Sequence, residues 1–98
     1  MNDDTVTHSA DDLPARRVDE FRDDPSAAGF AELRTELRSL GRGELLVELC
    51  SFWAARESNA KQAAEAWSEA GEVLFVMGMM APAADRLQRA LELDPVNE

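Results

Sequence analysis

Apolar residues return every three or four positions along most of this chain, and the polar breaks between those runs predict four helices. Phe30, Leu33, Leu37 and Leu40 stand at 3-4-3 spacing, a narrow seam of the kind that packs one helix on another. Asp24-Pro25-Ser26 reads as the start of that helix, because Asp caps free N–H groups and Pro tolerates the first helical position. Gly41-Arg42-Gly43 ends it. A second helix follows over 44–57, with Leu45, Leu46, Leu49, Phe52, Trp53 and Arg56 on one side. Val47, Cys50 and Ala54 widen its apolar sector beyond a stripe, so it should be the most buried. Asn59 with Gln62 three residues on forms a capping-box pattern for a third helix. Its apolar face, Ala60, Ala63, Ala64, Trp67, Ala70, Gly71 and Leu74, is built mostly of small residues. Gly in a helix interior costs about 1 kcal/mol against Ala, so Gly71 implies that another backbone crosses close by. Gly78 sits where the pattern breaks and suits the left-handed conformation that closes a helix. Pro82 then fits the first turn of a fourth helix, lined by Ala83, Ala84, Leu87, Ala90 and Leu91 and stopped by Asp94-Pro95. These two helices should form an antiparallel hairpin with alanines at the crossing.

The stretch 64–95, AEAWSEAGEVLFVMGMMAPAADRLQRALELDP, also has a recognisable order of small and large places. Trp67 stands near the start, Ala70 and Gly71 one turn later, Gly78 at the turn, then Ala83, Leu87 and Ala90, with Pro95 past the end. In this it resembles one tetratricopeptide repeat (TPR), a helix–turn–helix unit. The resemblance implies TPR-like helical hairpins, in right-handed superhelical stacking or a small bundle. Residues 25–57 are repeat-like in shape only: Gly41 would be the turn glycine, and Leu46, Cys50 and Trp53 fall near the small–large–small places.

Charge separates the ends of the chain. The 98 residues carry a net charge of −10, and residues 1–24 hold eight acidic against three basic ones. That segment is poor in large apolar side chains, so it is expected to be a disordered acidic tail, with residues 25–98 as the helical domain. Asp12 and Pro14 are able to start a short helix whose Leu13, Val18 and Phe21 dock as an arm, but the composition favours a solvated tail. An acidic chain lacks the basic face that nucleic acid requires and is repelled by anionic membrane surfaces. No run of apolar residues is long enough to span a bilayer. A lone cysteine and a polar, acidic start fit a cytoplasmic protein.

Chemistry is sparse. His8 sits in the acidic segment without a ligand set around it. Cys50 lies on an apolar face with no basic neighbour one turn away and reads as a small core residue. Glu65 with Glu69, and Glu69 with Glu72, are expected on a solvated face. No phosphate loop, nucleophile elbow or zinc spacing is present. The expectation is a non-enzymatic protein that takes no cofactor and no metal.

In the repeat family the concave groove is lined by the first helix of each hairpin. Carried over, that face comprises Glu65, Ser68, Glu72, Phe75 and Val76, with Phe75 and Val76 either anchoring a partner or packing against the second helix. Glu and Ser stand where carboxylate-gripping relatives carry Lys, Arg and Asn. The resemblance therefore implies an adaptor or chaperone-like binder for a basic or amphipathic protein segment. Longer arrays cover the last repeat with a further helix. Val73, Met77, Met79, Met80 and Leu91 are accordingly expected as a self-association surface, which would make a homodimer. Two other readings stay open: a small acidic inhibitor or antitoxin masking a basic surface through residues 3–24, and a self-assembling structural subunit.

Overall fold

In the computed structural model, which describes residues 12–95, five helices follow one another: α1 (Leu13–Asp23), α2 (Ala27–Leu40), α3 (Gly43–Arg56), α4 (Ala60–Val76) and α5 (Met80–Leu93). They form one all-α domain in which each helix packs on its neighbours in sequence. α4 lies between α3 and α5, and α1 rests on both α2 and α3. As its broad apolar sector predicts, α3 buries the most large side chains, with Leu45, Leu46, Val47, Leu49, Cys50 and Ala54 all inside.

The first helix corrects the expectation of a tail over residues 1–24. Residues 1–11 lie outside the described residues, but Leu13–Asp23 is helical. Asp12 caps it, its side chain accepting a hydrogen bond from the Ala15 N–H, and Pro14 occupies the first turn. Val18 and Phe21 are buried while Leu13 stays about half exposed, so two of the three suggested arm residues dock. Phe21 enters a group of rings: Phe52 meets it edge-on at 5.9 Å, Trp53 lies 5.9 Å away, and Phe30 stacks on Trp53 at 5.0 Å. Full burial of one such side chain contributes about 1.5–3 kcal/mol, and each ring pair about 0.5–1.5 kcal/mol more. That burial outweighs the polar composition of the segment. Ion pairs reach outward from α1 to its neighbours: Arg17 to Glu36, Arg22 to Glu48 and Asp12 to Arg42.

Helix ends mostly follow the local chemistry. Ser26, rather than Asp24, caps α2 by accepting from the Gly29 N–H, while Asp24 closes α1. Asn59 caps α4 through the Gln62 N–H. α2 and α4 end alike. Gly41 and Gly78 adopt φ of 70° and 82°, where a Cβ is disfavoured. The N–H groups of Arg42 and Met79 then bond back to the carbonyls of Leu37 and Leu74, the Schellman closure. Leu40, expected in the α2 seam, is 52% exposed at this helix end.

The α4–α5 hairpin crosses on small residues. Ala64, Gly71, Ala83 and Ala90 are buried there. A Cβ on Gly71 would stand 2.7 Å from Leu87 Cγ and 3.2 Å from the Ala83 carbonyl oxygen, so only glycine permits this approach. Trp67 is half-buried at the edge, with the Arg89 guanidinium 5.1 Å above its ring.

Candidate functional site

Because α2 turns into α3 through Gly41 and Gly43, this turn lies alongside the second half of α4 and leaves a groove between them. The groove has a volume of about 510 Å³. One wall is Leu37 and Arg38 of α2, the 41–43 turn, and Glu44 and Leu46 of α3. The other is Glu69, Glu72, Val73, Val76 and Met77 of α4. Gly43 brings the walls together: a Cβ there would stand 3.1 Å from Met77 Sδ and 3.2 Å from Val73 Cγ1.

Most charges around the groove answer one another. Glu69 is the one buried charged residue among those described, its side chain only 10% exposed. Arg34 reaches it at 3.1 Å and Arg38 bonds its other carboxylate oxygen. This overturns the expectation that Glu69 belongs to a solvated face, since two α2 guanidinia make its burial tolerable. Arg42 holds both Asp12 carboxylate oxygens, at 3.0 and 2.9 Å, and donates to Glu44 at 2.8 Å. Those bonds push the Arg42 pKa up, and Arg42 holds the Glu44 carboxyl below the usual carboxylate range. Glu72 is exposed and has no ion-pair partner among the described residues. Beneath the groove, burial pushes the Cys50 thiol up to about 12, with the negative charge of Glu69 adding to the effect. Such a thiol is not a nucleophile near neutral pH.

The residues singled out from the sequence divide between three places. Glu72 and Val76, expected in the partner groove, share the main groove with Val73 and Met77, expected at a self-association surface. Glu65, Ser68 and Leu91 line a second hollow of about 360 Å³ between α4 and α5, with Ala64, Leu87, Ala90 and Asp94. Phe75, Met79 and Met80 line neither and are 59%, 46% and 52% exposed at the α4–α5 turn. Phe75 and Val76 thus stay largely outside the core, Val76 being 83% exposed. Of the repeat-like places, Ala70, Gly71, Ala83 and Ala90 are buried, Trp67 and Leu87 half-buried, and Pro95 is exposed beyond α5. The Arg38–Glu44 wall escapes a helical-face reading, because it faces α4 only once the turn has folded back.

Comparison with protein-family models, with curated proteins and with solved structures finds no match to this chain. Among the described residues, no helix is long and apolar enough to cross a membrane. Nor does any group of three His, Cys, Asp or Glu side chains come together there as a metal site. Fold and site together define an all-α helical domain with an apolar-lipped groove whose polar rim is largely self-neutralised.

Proposed function

We propose that this protein is a non-enzymatic interaction module, an adaptor or chaperone-like binder. It holds a basic or amphipathic segment of a partner protein in the groove between α4 and the α2–α3 turn. The observation that carries this reading is the exposure of Val76 and Met77, 83% and 44%, on the lip of a concave, largely apolar groove. Concave apolar surface with a few polar groups is where ligands bind. The resemblance of residues 64–95 to a tetratricopeptide repeat supports the same reading, as does the close Gly71–Leu87 crossing in that hairpin.

The test is a titration of isotope-labelled protein with a panel of synthetic amphipathic peptides, followed by amide and methyl shifts. Saturable shifts centred on Val73, Val76 and Met77, abolished by Val76→Asp, are expected. Shifts confined to the Glu65–Leu91 hollow, or none with any peptide, would overturn the groove as the binding site. Light scattering gives a second check: a mass that rises with concentration and falls back in Met79→Ser/Met80→Ser would favour the self-assembling subunit instead.

A further inference from the structure

Resting on the groove reading above, we infer that the occupant is a helix rather than an extended chain, carrying a Lys or Arg one turn from its apolar anchors. The first argument concerns the backbone. An extended segment buried in a groove must satisfy its own N–H and C=O groups from the walls. These walls are helices and the short 41–43 turn, with no sheet edge to pair an extended chain, and no Asn, Gln, Ser or Thr side chain lines them. Their Arg and Glu side chains are engaged with one another, Glu72 excepted. A helical occupant satisfies its backbone internally and asks the groove only for side-chain contacts.

The second argument concerns charge. All ten Lys and Arg residues of the chain lie between positions 16 and 89, and eight of them form ion pairs within the described structure. Of the other two, Arg56 lies over the Phe52 ring and Lys61 stands eleven residues before Glu72 on α4, about 16 Å along the helix axis, so among the described residues Glu72 is left open to a partner's cation. Glu72 and Val76 are four residues apart on α4, and Val73 and Met77 repeat that spacing beside them. They form one face, on which a carboxylate precedes the apolar lip by a turn. A helix lying along it matches when its own cation and apolar anchors are also one turn apart. The span from Glu69 to Met77, about 12 Å of helix axis, accommodates two turns of such a partner.

Three labelled peptides of equal composition test this by fluorescence anisotropy, with methyl shifts of Val73, Val76 and Met77 read in parallel. The first is an amphipathic helix former with Lys one turn from a Leu pair. The second moves that Lys to the opposite face. The third exchanges a central residue with a terminal Pro, so that no helix forms. The first is expected to bind best, the proline peptide about tenfold or more weaker, and the displaced-Lys peptide about threefold weaker. Glu72→Gln, at an exposed position, should erase the difference between the first two while leaving the proline penalty. Equal binding of all three in the groove would overturn the helical occupant and leave the groove reading standing. A displaced Lys without effect would remove Glu72 as the selecting residue. Absence of groove shifts with every peptide would remove both.

Discussion

Between α1, α2 and α3 the contacts are made by large rings, whereas between α4 and α5 they are made by alanine and glycine. Phe21, Phe30, Phe52 and Trp53 converge from three helices, and ion pairs from Asp12, Arg17 and Arg22 surround them. In the hairpin the helices approach until Leu87 rests against the bare Cα of Gly71. The ring region gains stability from buried area, the hairpin from close approach. A crossing made of small residues has no room for large ones, and Phe75, Val76, Met77, Met79 and Met80 are left outside. The exposed apolar surface at this end of the molecule is thus a by-product of how the hairpin is closed.

Four experiments break or sharpen this contrast. Phe21→Ala should do most harm, costing about 3 kcal/mol in urea unfolding and loosening α1 first, because it empties the centre of the ring group. Unchanged stability would mean that Val18 and the ion pairs suffice to hold α1. Gly71→Ala should cost about 1–2 kcal/mol in thermal or urea melts, despite the better helix propensity of alanine, since its methyl meets Leu87 and the Ala83 carbonyl. A gain in stability would show that the hairpin can open without loss.

The third is a pH dependence. The Cys50 thiol is pushed up to about 12 in the folded protein, above its ordinary 9, by burial and then by Glu69. Above pH 9 the unfolded chain therefore releases this proton while the folded chain keeps it. Stability is full below pH 9 and falls as pH rises, approaching about 1.4 kcal/mol per unit well above 9. Between pH 9 and 10 wild type should lose about 1 kcal/mol more than Cys50→Ala, and parallel curves would remove the thiol from the balance. The smallest effect belongs to Val76→Ser, which should change stability by less than about 0.5 kcal/mol while weakening peptide binding. A large loss of stability would place Val76 in the core.

α2 through α5 were legible because their signals are local: apolar residues at helical spacing, Asn59 at a cap, Gly41 and Gly78 at closures, Pro82 in a first turn. α1 was not. Only Val18 and Phe21 of its eleven residues are buried, and the helix's partners lie 9 to 32 positions away: Phe30, Phe52 and Trp53 around Phe21, Glu36 on Arg17 and Glu48 on Arg22. The same division holds at the site. Glu72 and Val76 follow from the face of α4, while the opposing Arg38, Arg42 and Glu44 depend on where the α2–α3 turn comes to rest. Glu69 shows it most sharply, since its spacing from Glu65 and Glu72 suggests solvent and two arginines from α2 decide otherwise.

The neighbour-by-neighbour order of helix packing bears on how quickly this chain reaches its fold. Apart from α1 resting on α3 and side-chain bonds such as those of Arg34 and Arg38 to Glu69, the helix–helix packing joins elements adjacent in sequence, through connections of two to three residues. Contacts of such low sequence separation cost little loop-closure entropy. Helical domains of this kind assemble in microseconds to milliseconds. The α4–α5 hairpin, whose partners meet across a single tight turn, can close before α1 finds its place among the rings.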